Sequence, residues 1–261
     1  MNALHGMSLY GDANPYSSPL ALANSSYMAC IDGELARLLD CREPSARARL
    51  MHDAFTKFIK APRYPCLGAK AAINQGSYRL GVYRRLGSPQ ATAGLARDLC
   101  AFTAERPLMQ TDYATYVAAF DDLDYFDETL FETALWRQLQ ALADIDRRHH
   151  AWDATVDSDP QSAQFAFSFA GTAFFVVGMH PGSSRRARGF SWPALIFNAH
   201  DQFRTLREKG LYGRFVSRVR AREVALQGST NPNLAQFGER SEAVQYAGRA
   251  VEDGWKCPFR R

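Results

Sequence analysis

Residues 174–179 read Phe-Phe-Val-Val-Gly-Met and break at His180-Pro181-Gly182. A short run of aromatic and β-branched residues suits a strand covered on both faces. Pro181 lacks a ladder donor and Gly182 favours a turn, so the strand ends there. Just upstream, Gln164-Phe-Ala-Phe-Ser-Phe169 alternates, which puts Phe165, Phe167 and Phe169 on one face. Ala170-Gly171 supplies the turn between these two segments. Downstream, Ala194-Leu-Ile-Phe-Asn198 reads as another strand, with His200 just past its end. Consecutive strands with short links pair antiparallel. This block therefore predicts an antiparallel core, and it aims His180 and His200 at two strand exits.

Helices surround it. Ser45 caps a predicted helix to Ile59 with an apolar stripe of Leu50, Met51, Ala54, Phe55 and Phe58. Ser88-Pro89 starts another, running to about Ala104. Asp127 opens one with Phe131, Leu135, Leu139 and Leu142 on one side, and His149 and His150 lie exposed near its end. Asp201 to Arg207 and Tyr212 to Leu226 have helical spacing, and a short helix is expected near Ser241 to Gly248. Tyr64 to Ile73 and Ser77 to Tyr83 read as two strands joined at Asn74-Gln-Gly76. Tyr113 to Phe120 reads as a strand, and Ile31 to Leu39 as a short helix. Residues 1–30 carry Gly, Asn, Ser and Pro without period and read as a loop-rich extension. Helices and strands mix without a βαβ rhythm. The prediction is one α+β domain over 31–261, with a mixed, mostly antiparallel sheet flanked by helices.

The 261 residues are 46% hydrophobic, enough for a sizeable core. A net charge of +4 is too mild for a dedicated nucleic-acid binder, though arginines crowd the stretch from Arg185 to Arg222. That asymmetry points to a local anionic ligand. Five cysteines without a CxxC pair argue against a disulfide framework or a structural zinc. A cytoplasmic setting is expected, with no signal peptide and no bilayer-spanning run.

Candidate chemistry falls into three groups. His180 is followed by Ser183, Ser184, Arg185, Arg186 and Arg188, and arginine forks clasp carboxylate or phosphate. Cys257, in Trp255-Lys-Cys-Pro258-Phe, offers a thiol that could serve as a thiolate ligand to a heme iron. Cys66, in Pro65-Cys-Leu-Gly68, reads as core. Walker, GxGxxG, HExxH and GxSxG signatures are missing.

Several stretches taken together resemble the YqcI/YcgG family. They are His180-Pro-Gly-Ser-Ser-Arg-Arg-Ala-Arg188, Ile196-Phe-Asn-Ala-His200-Asp-Gln-Phe-Arg, Asn231-Pro-Asn-Leu-Ala-Gln-Phe-Gly-Glu239, Ser241-Glu-Ala-Val-Gln-Tyr246 and Trp255-Lys-Cys-Pro-Phe259. Tyr64-Pro-Cys-Leu-Gly-Ala-Lys70 resembles the family's N-terminal motif. Known members include heme-dependent N-hydroxylases of guanidino groups. The resemblance implies heme b, molecular oxygen, an external electron donor and a small amine or guanidine substrate. From the mild charge and the lack of a spanning run, no nucleic-acid or membrane partner is expected, and a homodimer is compatible with the sequence.

On that reading Cys257 is the preferred iron ligand, with His180 the alternative and His200 third. Arg185, Arg186, Ser183 and Ser184 would hold heme propionates. Glu239 and Glu242 would attract a cationic substrate, and His180 would otherwise orient oxygen. Two competing expectations are a heme carrier or sensor without turnover, and a non-heme metal enzyme using His180 and His200.

Overall fold

The computed structural model describes residues 14–122, 127–235 and 237–260. Seven strands form one open sheet: β1 (Met28–Ile31), β2 (Glu34–Arg37), β3 (Tyr78–Tyr83), β4 (Thr115–Phe120), β5 (Phe167–Phe169), β6 (Thr172–Met179) and β7 (Ala194–Ala199), in the order β2-β1-β3-β4-β7-β6-β5. Among the described strands only β3 and β4 pair in parallel, and α4 (Pro89–Glu105) makes the crossover that a parallel pair needs. The remaining pairs are antiparallel. The expected α+β class and mostly antiparallel sheet are as found. The β5–β6 turn places Ala170 and Gly171 at φ 49° and 68°, the left-handed geometry of a tight hairpin.

Strand alternation divides the molecule into two cores. On one face, Tyr116, Ala118 and Phe120 of β4, Phe174 and Val176 of β6, and Leu195 and Phe197 of β7 pack under α4 and α5 (Glu128–Asp146). The predicted stripe Phe131, Leu135, Leu139 and Leu142 is fully buried here. Each such side chain contributes roughly 1.5–3 kcal/mol of transfer free energy. Gly178 of β6 is required on this side. A Cβ there would lie 2.6 Å from Phe131 and 2.8 Å from the Tyr246 carbonyl oxygen.

On the other face, Leu80, Val117, Ala119, Met179, Ala194 and Ile196 meet α2 (Ala46–Lys60) through Met51, Phe55 and Ile59. This second layer is incomplete. Beyond α2 it is formed by α3 (Leu67–Gln75), α6 (His200–Glu208) and α7 (Tyr212–Gln227). None of the residues of α7 is fully buried.

Three local expectations need correction. Residues 14–30 are not a loop-rich extension: they carry α1 (Pro19–Asn24), with Ser18 accepting from the Ala21 amide, and most of edge-proximal β1. Tyr16, Tyr27 and Met28 are buried, so this segment belongs to the domain. Residues 1–13 lie outside the described part. Ile31 to Leu39 forms a β-hairpin with Asp32 and Gly33 at positive φ, not a helix. Tyr64 to Ile73 is not a strand. Cys66 caps α3 by accepting from the Ala69 amide, the alanines favour helix, and Gly76 closes it at φ 65°.

The capped helices starting after Ser45, Ser88 and Asp127 stand where predicted. The short C-terminal helix is α8 (Ala243–Tyr246). Among the described residues no helix is long and apolar enough to cross a membrane.

Candidate functional site

The incomplete layer encloses a cavity of about 320 Å³. Its floor is the sheet, through Thr115, Val117, Phe175, Val177, Ile196 and Asn198. Its sides are α2, α3 and the loop before α3, including Phe55, Tyr64 and Cys66. Its roof is α6 and α7. Tyr212, Phe215, Val216 and Val219 recur at helical spacing and face the cavity. That explains why α7 has an apolar stripe without a buried residue.

The polar groups in the wall are few. His200, the first residue of α6, sits at the C-terminal end of β7 and is the only histidine among the described residues that lines the cavity. Its Nε2 lies 2.9 Å from Glu242 Oε2. Glu242 precedes α8, is 3% exposed, and receives the Tyr246 hydroxyl on its other oxygen. Tyr246 is itself fixed by the Phe167 amide, which donates to its hydroxyl at 3.0 Å. Burial pushes the Glu242 carboxyl above its ordinary range, and the contact with His200 opposes that push. Phe237 and Phe203 meet the His200 ring edge-on at 4.9 and 6.2 Å. Arg188, Arg207, Arg220 and Glu223 also face the cavity.

The other expected site residues lie elsewhere. Cys257 is on the opposite side of the sheet, buried in the core with Phe259, Trp136 and Phe165. Burial pushes its thiol up to about 12, so a thiolate is costly there. Cys257, the preferred iron ligand of the sequence reading, therefore does not line this cavity.

His180 has no exposure, stacks on Phe131 at 4.3 Å and donates no group to the cavity wall. Its backbone amide donates to the Arg188 carbonyl, which folds the loop after β6 back on itself. His180 and His200 therefore do not converge. Among the described residues no three His, Cys, Asp or Glu side chains are placed to hold a metal ion.

Arg185 and Arg186 are not a free anion clamp. Arg185 is buried, with Nη2 at 2.5 Å from Glu223 of α7 and at 2.8 Å from the Ser229 carbonyl. The exposed Arg186 donates to the Leu226 carbonyl at 3.3 Å. Ser183 accepts from the Arg185 amide. Ser184 donates to Glu128 at the start of α5 through its hydroxyl at 2.7 Å. Ser184 ties the loop after β6 to α5, Arg185 and Arg186 tie it to α7, and Ser183 braces the loop itself. Glu239 is exposed and outside the cavity wall.

Of the expected site, the cavity gathers His200, Glu242 and Arg188. It adds Cys66, read from the sequence as core, Arg207 and Arg220, named there only within the arginine-rich stretch, and Glu223, which had no reading. The apolar stripe on α7 was the signal that could have found the arginines beside it. Cys66 gave none, because the segment after it reads equally as a strand.

The fold and cavity define a single-domain, three-layered α+β protein with a ligand-sized, mostly apolar chamber between sheet and helices. The chain belongs to the YqcI/YcgG family, whose model matches residues 55–260. It is 29% identical over 212 residues to the uncharacterized protein YcgG of Bacillus subtilis (strain 168), covering 76% of this chain and 81% of that one. It is 26% identical over 212 residues to the uncharacterized protein YqcI of the same organism, covering 77% and 82%. No solved structure matches the chain.

Proposed function

We propose that this protein is a heme-dependent oxygenase that N-hydroxylates a guanidino or amino group of a small, amino-acid-like substrate, arginine-like molecules foremost. The observation that carries the reading is the His200–Glu242 pair in the wall of a mostly apolar cavity. In kind, the residues fit heme b: apolar walls for a flat macrocycle, one imidazole, and cationic side chains for its carboxylates. His200 would hold the iron. With Nε2 engaged by Glu242, Nδ1 is the nitrogen left for it. Cys66 is the other donor in the wall, but burial raises its thiol and it serves as the cap of α3. When bound, heme supplies oxygen activation, using O2 and an external electron donor.

The chain's own residues do the rest. Glu242 fixes the tautomer and the orientation of His200. Phe203, Phe237 and Phe175 keep water from the imidazole. Arg207 and Arg220 neutralise carboxylates at the α6–α7 side, and α7 closes over the ligand. A cytoplasmic location belongs to the same proposal, supported by five free cysteines.

The test begins with colour. Heme added to the purified protein should give a Soret band, an imidazole-type ferrous–CO spectrum lost in His200→Ala, and spectral shifts with arginine. Arginine-dependent oxygen consumption and an N-hydroxylated product should follow. A Soret band without turnover would leave a heme carrier or sensor, and no heme uptake would end the proposal.

A further inference from the structure

The loop after β6 carries Arg185, Arg186 and Arg188, yet only Arg188 reaches the cavity. Its placement is tightly specified. Nη1 donates to the Tyr246 carbonyl at 2.9 Å and to the Gly178 carbonyl at 3.3 Å. The side chain slides past Gly248, where a Cβ would come within 2.5 Å of Arg188 Cδ. Gly248 stands at φ 89°, so backbone geometry and space both favour glycine there.

The acid nearest in the chemistry of this wall, Glu223, is committed to Arg185 at 2.5 Å. Among the described residues the hydrogen-bond acceptors of Arg188 are the two carbonyls, and no carboxylate is within ion-pair distance. Burial lowers its pKa to about 10, which still leaves the guanidinium charged at neutral pH. A charge facing an apolar chamber, bonded only to carbonyl oxygens and drawn at longer range toward a Glu223 already paired with Arg185, is costly unless a ligand anion completes it.

We infer that Arg188 is a carboxylate-binding subsite of the cavity, its guanidinium anchoring an anionic group of the molecule bound there. The inference rests on the proposed reading for the choice of ligand. Two sources fit the chemistry: a porphyrin propionate and the carboxylate of an amino-acid substrate.

Two acid/neutral pairs separate them. Hemin is compared with hemin dimethyl ester by Soret titration, and L-arginine with agmatine by calorimetry, in wild type, Arg188→Gln and Arg188→Lys. A charge-assisted hydrogen bond corresponds to an acid preference of roughly ten- to a hundredfold. The wild type should show that preference in one pair. Arg188→Gln should abolish it while the neutral member binds as before, and Arg188→Lys should keep most of it. Loss in the hemin pair identifies a propionate, and loss in the arginine pair identifies a substrate carboxylate.

Absence of an acid preference in both wild-type pairs overturns the inference, and so does a preference that survives in Arg188→Gln. If hemin does not bind but the arginine pair responds, the heme reading fails and the subsite stands. If Arg188→Gln does not fold, Arg188→Lys decides. A lysine variant that keeps most of the wild-type preference supports the subsite, and one that binds acid and neutral members alike overturns it. A wild type that never discriminates removes it.

Discussion

His200 and Glu242 act as one unit: Nε2 and Oε2 lie 2.9 Å apart, and Tyr246 donates to the second carboxylate oxygen. A carboxylate behind a ligating histidine fixes its ring and raises its basicity, typically worth ten- to a hundredfold in affinity. Glu242→Gln should weaken heme binding by about that factor, read by Soret titration of the apo protein. An unchanged titration would remove Glu242 from the site.

Cys257 lies across the sheet from that pair. Cys257→Ala should cost about 1 kcal/mol of stability, measured by urea unfolding, from lost packing against Phe259 and its neighbours. The ferrous–CO spectrum should not change. A shift of that spectrum in the variant would restore the thiolate assignment and displace His200.

Arg185 and Glu223 form a half-hidden ion pair, their side chains 8% and 14% exposed. Removing one partner strands the other charge, which for a buried pair costs about 3–5 kcal/mol. Arg185→Met should approach the lower end, since some solvent remains. Arg185→Met/Glu223→Met should recover much of the loss, and Arg186→Ala should stay within about 0.5 kcal/mol of wild type. Equal effects of the two single arginine changes would show that the pair does not matter. Any loss of heme in Arg185→Met should follow the stability of α7.

Asp98 of α4 has no exposure and accepts from the Ser26 amide at 2.6 Å and from the Tyr83 hydroxyl at 2.8 Å. Burial outweighs these bonds and raises its pKa from 3.8 to about 6. The folded state therefore holds this proton more tightly than the unfolded chain. Its contribution to stability is fully present below about pH 4 and is lost as pH rises through about 6, on the order of 3 kcal/mol. Unfolding of wild type and Asp98→Asn across pH 4–7 isolates it. The wild-type advantage should shrink over that window and level off above it, and an advantage that grows with pH would contradict the assignment.

The sequence disclosed features whose causes are local. Ser45, Ser88-Pro89 and Asp127 cap helices by bonding amides within three residues, so those helices were readable. The Phe165–Met179 hairpin was readable because alternation and a turn specify it. Residues 67–75 misled because Cys66 is an uncommon cap, and its role appears only once the Ala69 amide is seen to need an acceptor. The site was half legible. Strand exits located His180 and His200 correctly, but nothing near either one tells which face of the sheet it joins. That is decided by the register of β7 on β4 and of β6 on β7, and by which helices cover each face. The C-terminal tail, 80 residues from β6, packs on the face away from the cavity, and no local pattern around Cys257 encodes that choice.

Helix α7 places its apolar stripe against a chamber and keeps no side chain fully buried. Its backbone amides should consequently exchange with solvent through a local opening far cheaper than global unfolding. A molecule that fills the chamber gives α7 the contacts that β4 already has, and so slows exchange in α7 first and most. Release of the ligand and fraying of this one helix become the same event, and the residence time of the ligand is then set by how well sixteen residues hold together.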